Sequence, residues 1–305
     1  MTDPRFEFVN VDDTASEHIA APKYSYWRSV FKKFFSSKVA IVMLVIVGFV
    51  CLMSIFHPMI SHYDNLEMFV NQPETHFLRP SAEHWFGTDD VGRDMFDMLW
   101  AGTRTSLFIA FTATAISTII GVIVGMFWGY SKKMDSIMIE IYNVIANIPF
   151  TLLAMILMYA FGAGIPQLIF ALSCTNWINT AYFMRVQVMI IRDREYNMAS
   201  RCLGTPITKI ISHNILPYLI SVIVTSVSRD VPNFISLEVF LGYVGVGLTQ
   251  EQASLGRIVQ NNAQYMTSAA YLFVIPVFIT ALISVSLYIV GQTLADASDP
   301  RTHMI

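Results

Sequence analysis

The sequence predicts an all-α, polytopic membrane protein with six transmembrane helices. Three observations carry that prediction. The chain is 54% hydrophobic, only 13% of its 305 residues are charged, and its apolar residues gather into six long runs. A soluble domain of this length needs more polar surface to meet water. A hydrocarbon layer of ~30 Å takes about 20 apolar residues to cross as a helix. The six runs lie at 39–60, 106–130, 137–161, 165–190, 215–240 and 270–294.

The first run (VAIVMLVIVGFVCLMSIF) is read as a retained span. It is long for the h-region of a signal peptide, begins about forty residues in, and lacks a following A-x-A site. Cys51, Cys174 and Cys202 are scattered without a C-x-x-C, which points to neither a disulfide framework nor a zinc site. No G-x-x-x-x-G-K-[ST] loop, H-E-x-x-H or G-x-S-x-G elbow occurs, and the histidines are dispersed. The residues therefore describe a conduit without its own chemical engine: no catalytic group, no metal and no cofactor on this chain, and no nucleic-acid partner.

Lys and Arg set orientation in short loops. With both termini in the cytoplasm, fourteen fall on the cytoplasmic side and four (Arg79, Arg93, Arg104 and Arg257) outside, with Arg229 inside the fifth run. Residues 1–22 are acidic and read as a cytoplasmic tail. In 23–38, Trp27, Phe31, Phe34 and Phe35 gather on one helical face and Arg28, Lys32 and Lys33 on another, an interfacial helix before span 1 at 39–60. An extracytoplasmic segment covers 61–102. Spans 2–6 form a core at 103–294 with a polar cytoplasmic insert at 192–216, and 295–305 is a cytoplasmic C-terminus.

Near the end of the outer segment, FGTDDVGRDMFDMLWAGTR predicts a helix starting at Thr88, with Asp89 and Asp90 in a first turn that favours negative charge. Val91, Met95, Met98 and Leu99 then share a face, which serves either to feed span 2 or to meet an external partner. In span 2, Ala113, Ser117, Gly121, Gly125 and Gly129 recur every fourth position, a ridge for close helix approach. Packing within the chain and a dimer face are both open readings of it. Ile148-Pro149 predicts a kink in span 3, and Pro166 a helix start for span 4. Asn176, Trp177, Asn179 and Thr180 bring polar groups into span 4, for helix–helix hydrogen bonds or for lining a pathway.

Arg229 and Asp230 are the most costly residues of span 5. Counted from Pro217, Arg229 lies about 18 Å along the helix, at a depth where ionisable groups mark function by default. Adjacent helical residues point about 100° apart, so the two are not expected to neutralise each other in place. Structural pairing and exposure to a translocation route are the two readings, with Glu238 and Asn176 as further candidates.

The insert reads EYNMASRCLGTPITKIISHNILP, residues 195–217. Glu195–Leu203 predicts a short helix ended by Gly204 in a left-handed cap. Thr205-Pro206 begins a second, with Pro206 at the tolerated first position and Ile207, Ile210 and Ile211 facing one way. Such a rigid knob, with small Ala199 and Ser200 on it, predicts a cytoplasmic partner protein.

This stretch resembles the EAA loop of bacterial ABC-importer permeases. Met198-Ala199-Ser200 stand at EAA, Gly204 at its glycine, and Ile215, Leu216 and Pro217 at its close, so Met198 replaces the acidic residue and Ser200 the second alanine. FGTDDVGRD, SKKMDSIMIEIYNVIANIP, FLGYVGVGL and DASDPR are similar to a narrower group, the second permease subunit of oligopeptide and dipeptide ABC importers (OppC, DppC and AmiD type), over residues 25–301. The resemblance implies a type I importer permease of the bacterial cell membrane. Its partners would be a homologous second permease, two cytoplasmic ATPases that bind ATP and Mg, and an extracytoplasmic peptide-binding protein. Glu195, Met198, Ala199, Ser200, Arg201, Gly204 and Pro206 would couple to an ATPase. Import of nickel or another small solute, and an ion-coupled secondary transporter, are the alternative readings.

Overall fold

A computed structural model of the chain describes residues 26–61, 72–249 and 252–298. The predicted tail at 1–22, the middle of the outer segment at 62–71 and the end of DASDPR lie outside the described residues. Among the described residues the protein is helical, with a single isolated bridge, Thr88 to Asp94, and no strand.

The helices are α1 (Tyr26–Phe34), α2 (Lys38–Ile60), α3 (Met95–Tyr130), α4 (Lys132–Ala146), α5 (Phe150–Phe161) and α6 (Ile165–Arg192). They continue as α7 (Glu195–Cys202), α8 (Ile207–Tyr243), α9 (Leu255–Asn262) and α10 (Ala270–Ser298). Several starts are set by side chains that accept orphan amide hydrogens: Ser37 from Ala40, Asp94 from Phe96 and Asp97, Ser131 from Met134 and Ser254 from Arg257.

Among the described residues four helices, α2, α3, α8 and α10, are long and apolar enough to span a membrane. The third predicted span, 137–161, is broken: α4 and α5 meet at an 83° bend. Pro149 excludes Ile148 from the helical region and itself caps α5 with ψ 123°. Counted together the bent pair gives up to five spans. The fourth predicted span, α6, is 28 residues long, but Gln167, Asn176 and Asn179 lower its apolarity. The predicted six are therefore not confirmed as six apolar helices.

The α3–α6 pair is the spine of the bundle. Gly121, Gly125 and Gly129 of the ridge face α6, and a Cβ at residue 121 would come 2.6 Å from the Thr180 side chain. At residue 129 it would come 2.6 Å from the Arg185 carbonyl oxygen. The ridge therefore packs within this chain. Lipid is as apolar as leucine, so this contact is held by backbone proximity and dispersion rather than by escape from water. Leu99 and Ile109 of α3, Leu168 and Leu172 of α6, and Phe234 and Leu241 of α8 are fully buried in one cluster beside it.

The outer segment departs from its predicted form. No helix starts at Thr88. Residues 88–94 make a tight loop, and α3 begins at Met95 with Asp94 as its cap. Asp89 diverts the chain: its Oδ1 accepts from the Val91 and Arg93 amides at 3.0 and 2.8 Å, and its Oδ2 from Arg93 Nε at 2.7 Å. Gly92, at φ 82°, completes a turn that L-residues with a side chain resist. Val91 thus leaves the predicted face, while Met95, Met98 and Leu99 lie on α3 and are buried within the chain. The Tyr265 hydroxyl donates to Asp90 at 2.9 Å, and burial followed by that acceptor keeps its proton on to higher pH than usual.

Candidate functional site

The insert folds as a knob at one end of the α3–α6 spine. At its centre is the end of α7. Gly204 adopts φ 75°, its amide donates to Arg201 O at 2.9 Å and the Thr205 amide to Ser200 O at 3.0 Å. This is the paired-bond left-handed cap that a glycine permits. Nothing lies within 4 Å of where a Cβ would sit, so glycine is required there by conformation and not by crowding.

Pro206 stands one position earlier than predicted. Its ψ of 147° makes it the cap before α8, which starts at Ile207. Residues Ile210–Ile215 form a π turn, in which the Leu216 amide donates to Ile211 O. Pro217 explains the widening, since it has no N–H and its ring crowds the carbonyl one turn back. The turn buries Ile210, Ile211 and Ile215 against Met184, Val188 and Leu219. Ile207 does not join them, contrary to the predicted shared face, and is exposed.

Two sets of bonds fix the knob. Asn197, fully buried, donates from Nδ2 to Ile191 O at 3.0 Å. Asn214 Nδ2 donates to Asn197 Oδ1 at 3.1 Å and to Ser200 Oγ at 3.2 Å, tying α7 to the root of α8. On the other side, Arg201 Nη2 donates to Arg192 O at 2.6 Å and its guanidinium lies 5.0 Å from the Tyr130 ring. Arg192 Nη1 reaches Gly129 O at 2.8 Å, so the end of α3 is tied in as well. A hydrogen bond from Arg192 holds the Asp193 carboxyl below the usual carboxylate range.

The remaining surface is open. Glu195, Ala199, Cys202, Gly204 and Pro206 are exposed, Met198 is 48% exposed and Leu203 85%. An apolar edge of Met198, Ala199, Leu203 and Ile207 on a framework fixed by hydrogen bonds is suited to sit in a protein groove.

Arg229 and Asp230 lie elsewhere, on α8. Arg229 is 64% exposed and its Nε stands 3.7 Å from Asp230 Oδ1. The expected separation of adjacent residues is thus overcome by the length of the arginine side chain, although at an ion-pair distance rather than a hydrogen-bond one. The guanidinium also lies 5.8 Å from the Phe183 ring. Arg229 lines an open groove of about 470 Å³ with Asn233 and Ser236 of α8 and Ser284 and Tyr288 of α10. Asp230 is buried, with no hydrogen-bond partner for Oδ2.

Glu238 is placed apart from this groove. It is buried, and its Oε2 accepts from Ser106 Oγ at 2.6 Å, while the same hydroxyl accepts from the Leu255 amide at 3.1 Å. It joins α3, α8 and α9. Asn176 is half-buried on α6. Of the four intramembrane candidates only Arg229 lines the groove.

Asn197, Asn214 and Arg192 were not singled out from the sequence. Asn197 and Asn214 are 17 residues apart, and only the fold brings them together.

Residues 117–304 match the family described as binding-protein-dependent transport system inner membrane component. The chain belongs to this family. Residues 25–78 also match the N-terminal transmembrane domain of oligopeptide transport permease C. The chain is 51% identical over 300 residues to the oligopeptide transport system permease protein AmiD of Streptococcus pneumoniae, covering 98% of this chain and 97% of that protein. It is 33% identical to the oligopeptide transport system permease protein OppC of Bacillus subtilis, covering 97% and 96% of the two chains. Its fold is like that of a chain in the inward-facing MetNI methionine ABC transporter, with TM-score 0.57 and 18% identity over 67% of this chain and 98% of that one. The chain is thus a multi-pass inner-membrane permease component with the ABC-importer permease fold.

Proposed function

We propose that this chain forms half of the translocation pore of an ATP-driven oligopeptide importer, beside a homologous second permease. The observation that carries the coupling half of this reading is the α7 knob, fixed to α3, α6 and α8 on its inner side and apolar on its outer side. Supporting the peptide substrate is the 51% identity with AmiD across nearly the whole chain.

In this reading the termini and the knob are cytoplasmic. Glu195, Met198, Ala199, Ser200, Arg201, Gly204 and Pro206 dock in a cleft of one of two ATPases, which hold ATP and Mg. Closure of the ATPase dimer moves the knob. Because α7 is bonded to the ends of α3 and α6 and to the root of α8, the knob and these helices move together between two packed states. ATP biases those states through its differential contacts in the ATPases. Arg229 and its groove line the route, and an external binding protein delivers the peptide.

Uptake of labelled peptide into vesicles tests this, with the chain, its second permease, the ATPases and the binding protein each omitted in turn. The expected result is uptake that needs every component and ATP. Uptake that persists without ATP and collapses with an ionophore would replace the reading with an ion-coupled one.

A further inference from the structure

Helix α1 has two apolar faces. Val30 and Phe34 are buried against Ala297 at the end of α10, where the Tyr26 hydroxyl donates to Ser298 O at 2.7 Å. Trp27, Phe31 and Phe35, at successive turns, point away and are 50%, 52% and 53% exposed. Arg28, Lys32, Lys33 and Lys38 accompany them, with no acidic residue between Tyr26 and Lys38. An aromatic face flanked by cations fits the headgroup layer of an anionic membrane rather than water.

The position of α1 links that surface to the knob. Tyr26 and Trp27 face Pro217, Tyr218, Ile220 and Ser221 of α8 across a groove of about 240 Å³. On its other side Tyr218 stacks on Tyr196 of α7, with ring centroids 6.0 Å apart at 26°. An acyl chain in the groove would touch the residue that supports the coupling helix.

We infer that α1 and the root of α8 form a binding site for an anionic phospholipid, with the headgroup on Arg28, Lys32 and Lys33 and acyl chain in the groove. The inference rests on the importer reading for its consequence: an occupied groove braces Tyr218 and, through it, Tyr196, so anionic lipid raises the coupling of ATP hydrolysis to transport.

The test uses the assembled importer in vesicles of phosphatidylcholine, with or without phosphatidylglycerol. Quenching of Trp27 by brominated forms of each lipid is read as the difference between the natural chain and Trp27→Phe, and ATP-driven uptake is read in parallel. The expected result is stronger quenching by the brominated phosphatidylglycerol, with uptake severalfold higher when that lipid is present. The combined variant Arg28→Gln, Lys32→Gln, Lys33→Gln should lose both preferences and keep the uptake seen in phosphatidylcholine alone. Equal quenching by the two lipids would overturn the site, as would Trp27 shielded from both by a protein partner. An unchanged lipid response in the combined variant would overturn it too. Failure of all ATP-driven uptake would instead strike the importer reading, and quenching would still decide the lipid site.

Discussion

Asn214 reaches from the root of α8 to Asn197 on α7, with its side-chain amide 3.1 Å from the Asn197 carbonyl oxygen. This contact makes the knob part of a helix that crosses the bundle. Asn197 also donates to the end of α6, so one buried amide joins three helices. Asn197→Ala removes the side-chain bonds to Ile191 O and from Asn214, leaving Asn214 only Ser200 Oγ, at a cost of about 0.5–1.5 kcal/mol for each bond lost. Hydrogen exchange at 195–203 should quicken and uptake per ATP hydrolysed should fall. Unchanged exchange in this segment would show that the amide does not hold the knob.

Gly204 provides a sharper test, because strain and crowding are separated there. A Cβ would meet nothing within 4 Å, but a β-branched residue at φ 75° carries a left-handed penalty of about 1–2 kcal/mol. Gly204→Val should insert and assemble normally yet hydrolyse ATP with little transport. Gly204→Asn, which tolerates this backbone region, should retain most uptake. Equal uptake in the two variants would contradict a conformational role.

At Gly121 the prediction is the reverse, a failure of packing. A side chain there enters the Thr180 methyl and the Trp177 carbonyl, and overpacking costs about 1–3 kcal/mol or more. Gly121→Leu should lower the yield and thermal stability of the chain itself, with or without the second permease. Unchanged yield and stability in detergent would exclude this account of the ridge.

Arg229→Ala should lower uptake severalfold while leaving ATPase association intact, since Arg229 is exposed in the groove. Asp230→Asn, which keeps the buried shape, should assemble as well. Co-purification with the ATPases measures association. Loss of the complex in Arg229→Ala would assign the residue to structure.

Much of this fold is legible in the sequence because its signals are local. The ridge of Ala113, Ser117, Gly121, Gly125 and Gly129 announces a close helix contact, and Gly204 before Pro206 announces the end of α7. What the sequence leaves open is long-range. It does not say whether the ridge meets α6 or another subunit, because that depends on which helix brings a complementary surface. It places α3 too early, since Asp89 is as good a first-turn residue as it is a turn-maker. Only its bonds to Val91 and Arg93 decide between the two. It separates Arg229 from Asp230 by angle alone, where side-chain length closes the gap.

The central claim is that the exposed edge of α7 docks on an ATPase. A photo-cross-linker at Leu203, 85% exposed at the tip of the knob, tests it most directly in the assembled importer. The account predicts an adduct with an ATPase subunit, which changes in yield when ATP is bound and hydrolysed. A complex that transports peptide with the cross-linker in place, yet forms no adduct from residue 203 with either ATPase, would contradict it.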